Sequence, residues 1–221
     1  MIFSRDYIGY LARRTVKHLI DACCFDHIYH EHLCYWSLHA LIPLLKSVGL
    51  RVYNVEVVPT QGLSLRVSTC KDARPHSYRV IMHEDIERTT KLDDVYTYTK
   101  FALRAEHNAR TLQKLIIDLT ESRATVVGYG APAKGNTLLN YCHTGPDVIR
   151  YLTDTTAMKQ GRCSPGMHIP VVRPERLMLD ATPDYALLLS WNFKDSILEK
   201  ESALRALGTK FIVPIPEISI V

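Results

Sequence analysis

The sequence lacks several features that would assign it to a protein class at once. Its six cysteines include no Cys-x-x-Cys pair and two of them are adjacent, so their spacing matches neither a zinc knuckle nor a disulfide-stapled secreted domain. No apolar run approaches the ~20 residues that a membrane span requires, and the first ten residues contain no signal-peptide pattern. We therefore expect a cytoplasmic protein with reduced thiols and no membrane partner.

Positive charge is too scattered to indicate a nucleic-acid partner. The net charge is only +4, and no Lys/Arg run, basic helix or basic–aromatic patch occurs, so nucleic acid is excluded as a partner at this stage. Hydrophobic residues make up 47% and charged residues 23% of the chain, which is ordinary for a globular protein. A chain of 221 residues suffices for one large α/β domain, or for one domain plus part of another.

Hydrophobic periodicity predicts helices and a hairpin in the first part of the chain. Ser37 is a suitable N-cap for a helix that Gly49 closes. The predicted elements are a helix over 5–24, a strand end and loop over 25–33, a helix over 37–48, and strands over 51–58 and 63–70. A helix followed by two closely connected strands is how many class I methyltransferase folds finish.

The second part predicts an α/β unit. The predicted elements are a polar connection over 71–90, a long helix over 94–122, strands over 124–127, 148–152, 185–189 and 211–213, and a helix over 197–207. Such alternation favours a doubly wound parallel sheet. The boundary between the two units is predicted near residue 122.

Four consecutive residues offer acid–base chemistry: Tyr29, His30, Glu31 and His32. An imidazole with a pKa near neutrality suits a base, a carboxylate can orient it, and a phenol can stabilise an enolate oxygen. The same residues also fit a polar loop without function. A metal site through His30, Glu31 and His32 is a third interpretation, although no HExxH pattern and no cysteine in register accompany it.

Polar loops that follow predicted strands offer ligand contacts. The glycine loop from Gly128 to Asn136 can bring a phosphate to a helix N-terminus, but it departs from GxGxxG and is not a Walker A loop. Lys159 and Arg162 suit a diphosphate, and Asn192 closes a Ser-Trp-Asn triplet at a strand's carboxyl end. A tight turn, a solvated loop and a buried core tryptophan are the alternatives for these three features.

Together, these motifs resemble the sugar C-methyltransferases of antibiotic deoxysugar pathways, the tylosin and kijanose type. The resemblance covers nearly the whole chain from about residue 17. The matching segments are FDHIYHEHLCYWSLHAL (25–41), VPTQGLSLRV (58–67), VVGYGAPAKGNTLLNYC (126–142), KQGR (159–162), PGMHIPV (165–171), DYALLLSWN (184–192) and FIVPIPEI (211–218).

This resemblance implies an architecture. Family enzymes have an N-terminal zinc-binding segment, a central methyltransferase fold that binds S-adenosylmethionine, and a C-terminal Rossmann-like domain. Residues 1–70 would then be the C-terminal part of the methyltransferase domain, 71–122 a connection with a long helix, and 123–221 the Rossmann-like doubly wound parallel sheet. The zinc segment and the main S-adenosylmethionine loop have no counterpart here, so we expect no zinc in this chain, and a truncated product or a separate chain that supplies the donor domain.

The resemblance also implies roles for individual residues. The substrate would be a nucleotide-linked keto-deoxysugar, deprotonated beside its ketone before a methyl group is transferred to carbon. His32 resembles the base, and Tyr29 and Glu31 the groups that hold the enolate oxygen and tune the base. The implied substrate-binding residues are Thr60, Ser64, Gly128, Gly130, Lys134, Asn136, Lys159, Arg162 and Asn192. The family's THGGS pattern reads TQGLS here (60–64), which departs from the expected sugar contacts.

Two other functions fit the same sequence. One is a non-catalytic module that binds a nucleotide-sugar. The other is an NAD-dependent Rossmann oxidoreductase, for which Asp154, 24 residues after Gly130, would be the ribose-binding acid. The missing third glycine of the loop weighs against this second alternative.

Overall fold

The computed structural model of the chain describes residues 9–58, 64–179 and 182–221. Its helices are α1 (Val16–Asp21), α2 (Leu38–Ser47), α3 (Tyr78–Thr89), α4 (Val95–Glu121), α5 (Ala133–Tyr141), α6 (Arg176–Leu179), α7 (Lys194–Lys200) and α8 (Ser202–Ala206). Its strands are β1 (Gly9–Arg14), β2 (Arg51–Val58), β3 (Ser64–Cys70), β4 (Val126–Tyr129), β5 (Leu152–Thr153), β6 (Val171–Val172), β7 (Tyr185–Leu188), β8 (Lys210–Val213) and β9 (Ser219–Ile220). Short 3-10 helices span Phe25–His27 and Trp191–Phe193.

Contacts divide the chain into two compact units. The first comprises the described part of Met1–Cys23 together with His32–Ala102. The second comprises Cys24–Glu31 together with the described part of Leu103–Val221. The assignment of residues 1–70, 71–122 and 123–221 to the domains of the family enzymes stays a prediction, because contacts within the chain do not show which family domain a segment derives from.

The first unit is built on an antiparallel sheet in the order β1-β3-β2. The central strand β3 is buried at every position except Arg66. As predicted, the Ser37 hydroxyl caps α2 by accepting the N–H of Ala40 at 3.1 Å, and Gly49 follows the helix with a φ of +76°, a conformation that favours glycine. The core comprises Leu38, Leu41, Val52, Val55, Leu65, Val67 and Val80.

Two sequence predictions for this unit are wrong. Residues 9–14, predicted as helix, form strand β1, which pairs along the whole of Ser64–Thr69; pairing with the edge of β3 overrides a short helical pattern. The predicted connection over 71–90 contains helix α3. Its sequence hides this, because Val80 and Glu87 are its only buried residues and the apolar stripe that signals a helix is missing.

The second unit is a mixed α/β structure with a mostly parallel sheet, as predicted. The strand order is β6-β5-β4-β7-β8-β9, in which β4 to β8 are parallel and β9 is antiparallel. The strand predicted over 148–152 is reduced to its last residue, because the amide of Ile149 bonds to the carbonyl of Gly145 at 2.9 Å in a turn. The core comprises Val127, Tyr151, Leu177, Ala186, Leu188, Ile197, Leu204, Phe211 and Val213.

The predicted long helix is confirmed as α4, whose 27 residues extend for about 40 Å. Its buried residues follow the helical period: Phe101, Ala105, Asn108, Ala109, Leu112 and Ile116. Within the second unit, Asn108 donates a hydrogen bond to the carbonyl of Pro214 at 3.2 Å. Among the described residues, no helix is long and apolar enough to cross a membrane.

Candidate functional site

The four residues predicted to carry acid–base chemistry lie in a bend that follows the 3-10 helix Phe25–His27. Tyr29 is half-buried, and its amide bonds to the carbonyl of His27 at 3.2 Å. His30 and Glu31 are exposed, whereas His32 is half-buried. Tyr29 and Glu31 belong to the second unit and His32 to the first. The catalytic roles of these residues stay predictions.

The chain just before this bend is anchored by a buried carboxylate. Asp26 is fully buried, and its Oδ2 accepts the indole N–H of Trp191 at 2.7 Å. The Nε2 of His27, itself buried, lies 3.7 Å from Oδ1 of Asp26. Burial raises the pKa of the Cys142 thiol to about 12, and the charge of Asp26 contributes to that rise. The carboxylate is therefore held by hydrogen bonding inside a low-dielectric region.

Trp191 also contacts the predicted substrate-binding residue Lys134, which bonds to a second one, Asn192. The ammonium of Lys134 lies 4.3 Å from the centroid of the Trp191 ring and donates a hydrogen bond to Oδ1 of Asn192. Lys134 is only 9% exposed, a degree of burial that a lysine tolerates only with partners such as an aromatic face and an amide oxygen.

Strand adjacency explains why these residues meet. Lys134 is the second residue of α5, which follows β4, and Asn192 follows β7. Strands β4 and β7 are parallel neighbours, with Tyr129 opposite Leu188. Their carboxyl ends therefore deliver Lys134 and Asn192 to the same edge of the sheet.

Asp154, which follows β5, fixes the glycine loop. Its Oδ2 accepts the N–H of Ala131 at 2.9 Å and the ammonium of Lys159 at 3.0 Å, and its Oδ1 accepts the N–H of Thr156 at 2.8 Å. Burial alone would raise the pKa of Asp154, but the hydrogen bonds from Thr156, Lys159 and Ala131 outweigh it, so the pKa lies below its usual value. Both oxygens of this carboxylate are thus engaged within the protein.

Three other predicted substrate-binding residues, Lys159, Arg162 and Asn136, differ in their exposure and in their hydrogen-bond partners. Lys159, besides its bond to Asp154, donates to the carbonyl of Ala131 at 2.9 Å, and Arg162 is exposed. Within the described part of the chain, the buried Oδ1 of Asn136 has no hydrogen-bond partner.

The surroundings of Gly128 and the backbone conformation of Gly130 both favour glycine at these positions. A Cβ on Gly128 would lie 2.3 Å from Cδ2 of Leu152 on the neighbouring strand, closer than real Cβ contacts allow. Gly130 has a φ of +87°, which L-residues rarely adopt. Neither observation tests a phosphate contact, so that role stays a prediction.

The two remaining predicted residues belong to the first unit. Thr60 lies outside the described residues. Ser64 is buried and lines a cavity of about 180 Å³ together with His18, His83 and Glu87. Burial lowers the pKa of His83, and the charge of Glu87 opposes that shift only in part. A larger cavity of about 610 Å³ lies against α2 and α3, and its lining residues include none of the described candidates.

No three or more His, Cys, Asp and Glu side chains in the described ranges lie close enough together to hold a metal ion. The metal-site interpretation of His30, Glu31 and His32 therefore finds no support. None of the six cysteines, all of which lie in the described ranges, forms a disulfide: Cys34 and Cys163 are exposed, and the other four are buried.

Sequence reasoning missed Asp26 and did not connect Trp191 to Lys134. The available signal was an acidic residue set directly after Cys23, Cys24 and Phe25, since a carboxylate in an apolar stretch is retained where it is paired or hydrogen-bonded. The partner, 165 positions away, could not be read from this local pattern.

Comparison with known proteins identifies the family. Residues 59–216 match the family model described as the C-methyltransferase C-terminal domain. The chain is also 39% identical over 195 residues to a protein named C-methyltransferase NovU from Streptomyces niveus, an alignment that covers 87% of this chain and 46% of that protein. The chain thus spans about half the length of this relative, and it belongs to the C-methyltransferase family, whose C-terminal domain it carries.

Proposed function

We propose that this chain acts as the C-terminal half of an S-adenosylmethionine-dependent C-methyltransferase whose substrate is a nucleotide-linked keto-deoxysugar. The supporting observation is that the second unit contains both the segment Cys24–Glu31 and the sheet edge with Lys134 and Asn192. The hydrogen bond between Asp26 and Trp191 joins the two. The sheet edge can therefore bind one end of a substrate while the residues of the bend act on its other end.

The proposal treats the second unit as Rossmann-like. The order β6-β5-β4-β7-β8-β9 follows the doubly wound order 3-2-1-4-5-6 except that β9 is antiparallel, and it supports a switch point between β4 and β7. Ligands of open α/β sheets bind in the crevice outside the carboxyl ends at that point. Lys134 and Asn192 stand on its two sides, so we assign the diphosphate of the nucleotide-sugar to Lys134, with Asn192 as its neighbour.

We assign the deprotonation step to the bend. The imidazole of His32 accepts the proton from the carbon beside the ketone, and the carboxylate of Glu31 orients that imidazole. The phenol of Tyr29 donates a hydrogen bond to the ketone oxygen, which becomes an enolate. One such donor lowers the barrier by about 3–4 kcal/mol, and a positioned base contributes about 10²–10⁴-fold in rate. When S-adenosylmethionine is bound, its sulfonium would supply the methyl group to the enolate carbon, with S-adenosylhomocysteine as the leaving thioether.

Asp154, which fixes the glycine loop, is a poor fit to an adenosyl or NAD ribose. It already accepts three hydrogen bonds, from Ala131, Thr156 and Lys159, so only Oδ1 retains acceptor capacity for a ribose hydroxyl. This disfavours the oxidoreductase alternative. We assign S-adenosylmethionine to the half of the family enzyme that this chain does not span, whether that half is joined to it or is a separate chain.

The remaining candidates have supporting roles in this proposal. Lys159 shapes the loop through Asp154 and reaches a diphosphate only if that bond opens, whereas Arg162 is exposed and available. Asn136, also on α5, offers a buried amide oxygen. Thr60 and Ser64 would contact the sugar. Gly128 packs against Leu152 and Gly130 supplies the turn with a φ of +87°, so in this proposal both glycines shape the loop that presents Lys134.

Calorimetric titration of the chain with thymidine diphosphate, S-adenosylmethionine and NAD tests the binding part. We expect thymidine diphosphate to bind and Lys134→Gln to weaken it about 10–100-fold, the value of one lost charge-assisted contact. Lys114→Gln is the matched control, since Lys114 is 76% exposed on α4. Binding of NAD alone would favour the oxidoreductase. Binding of thymidine diphosphate by an enzyme without proton abstraction would favour the non-catalytic module.

A further inference from the structure

One indole lies between the buried anion and the buried cation of the second unit. Its N–H donates to Asp26 at 2.7 Å, and its face lies 4.3 Å from the ammonium of Lys134. A carboxylate bound at the N–H edge polarises the ring so that its face becomes more negative, which strengthens the attraction for the ammonium. Trp191 therefore contacts both Asp26 and Lys134, and its polarised ring couples the two interactions electrostatically.

The position of Asp26 is closely defined. It is fully buried, so leaving the indole would expose a carboxylate to an apolar environment without its hydrogen bond. Neighbouring contacts fix the same 3-10 helix: the ring of Phe25 lies 5.2 Å from that of Tyr141, and the ring of His27 packs edge-on to Trp191 at 5.9 Å. The start of the bend is thus attached by ring contacts to Tyr141 and Trp191.

The tether from Asp26 to the bend is short. Tyr29 lies three residues beyond Asp26, so their Cα atoms are at most about 11 Å apart. The bond from the amide of Tyr29 to the carbonyl of His27, at 3.2 Å, keeps the chain more compact than this limit. Asp26 and Tyr29 therefore belong to one short segment that is closed by a backbone hydrogen bond.

Resting on the proposed function, we propose that Asp26 and Trp191 are positioning residues that couple nucleotide binding at Lys134 to the placement of the bend at Tyr29 and Glu31. Neither side chain needs to touch the substrate. A diphosphate that engages the ammonium of Lys134 changes its interaction with the indole, and the Trp191–Asp26 hydrogen bond carries that change to the bend.

Hydrogen–deuterium exchange with mass spectrometry tests the coupling without catalysis. The peptide over 27–33 is followed with and without saturating thymidine diphosphate. In the parent protein, we expect the nucleotide to slow exchange in this peptide at least threefold. Trp191→Phe keeps an aromatic face for Lys134 but removes the N–H, so this protection should disappear although the nucleotide still binds.

Two further variants define the origin of the effect. Asp26→Asn keeps an acceptor for the indole and should retain most of the protection, and Asp195→Asn, at a side chain that is 95% exposed, should leave it unchanged. In the complete enzyme, Trp191→Phe should lower kcat for exchange of the substrate proton at least tenfold and change KM less than threefold. Because an unfolded fraction alone would also lower the apparent kcat at constant KM, kcat is expressed per enzyme molecule that binds thymidine diphosphate.

The outcomes separate this proposal from the function on which it rests. If thymidine diphosphate binds and the peptide is not protected in the parent protein, or is protected equally in Trp191→Phe, the coupling is wrong and the proposed function stands. If the peptide is protected but the parent enzyme exchanges no substrate proton, the proposed catalytic function is wrong and the coupling stands. If the nucleotide does not bind, both are overturned.

Discussion

Removal of the Glu87 carboxylate should destabilise the first unit more than any change to an exposed charge. Glu87 on α3 is 4% exposed, and its two oxygens accept the N–H groups of Leu38 and His39 at 2.7 and 2.8 Å. These are amides of the first turn of α2, which have no partner within their own helix. Glu87 thus caps, from another helix, the element that follows the proposed catalytic bend.

The magnitude follows from those two bonds. A hydrogen bond to a charged group contributes about 1.5–3 kcal/mol, and a negative charge at a helix N-terminus adds about 0.3–1 kcal/mol. Water that enters the small cavity beside Glu87 offsets part of the loss. We therefore expect Glu87→Ala to lower the free energy of unfolding by about 3–5 kcal/mol. Glu87→Gln, which keeps one acceptor, should lower it by about half as much.

The chain suits a fluorescence assay, because one of its two tryptophans, Trp36, packs on the core of the first unit and the other, Trp191, lies in the second. Urea unfolding followed by Trp36 in a Trp191→Phe background reports the first unit. Asp85→Ala is the control on the same helix, since Asp85 is exposed and pairs only with exposed Arg88 among the ion pairs described; we expect a change below about 0.5 kcal/mol. If Glu87→Ala were no more destabilising than this control, the capping argument would fail.

Three further predictions use the titratable groups. With a thiol reagent at pH 8, Cys34 and Cys163 should react fast and the buried thiols slowly, with Cys142 the slowest because its pKa is about 12; rapid modification of Cys142 would refute its burial. His83 has a lowered pKa, so its contribution to stability is present above the unfolded pKa of about 6.5 and is lost as pH falls through the folded value. Urea unfolding should therefore show a smaller loss between pH 7.5 and 5.5 in His83→Gln than in the parent, and equal slopes would contradict this. Asp154 also has a lowered pKa, so Asp154→Asn should destabilise the second unit at pH 7, and this difference should shrink below about pH 4. A difference that is constant with pH would exclude the ionised hydrogen-bonded state.

The sequence predicted those elements that are determined by interactions between residues close together in the chain. The cap at Ser37, the glycine after α2 and the apolar stripe of α4 each depend on neighbours within one or two turns. The alternation of the second half likewise predicted a parallel sheet. Strand β1 and helix α3 escaped prediction because distant pairing and a polar composition determine them.

The sequence predicted which residues the candidate site contains, but it did not predict how their side chains contact one another. Lys134 and Asn192 were recognised separately, each at the carboxyl end of a strand, but their contact depends on β4 and β7 being neighbours, which the sequence does not state. Asp154 fixes its loop by accepting hydrogen bonds from Ala131, Thr156 and Lys159, and only the folded chain brings these three donors together. Asp26 escaped notice because its partner Trp191 is far away in the chain.

Solvent-proton exchange in the absence of a methyl donor tests the proposed chemistry most directly, since it isolates the deprotonation step. The complete enzyme is incubated in deuterium oxide with a nucleotide-linked keto-deoxysugar, and incorporation at the carbon beside the ketone is followed by NMR. We predict incorporation by the parent enzyme, a loss of about 100-fold or more in His32→Ala, and near-parent rates in the control His30→Ala, with thymidine diphosphate bound equally by all three. Equal incorporation by His32→Ala and the parent would contradict the account.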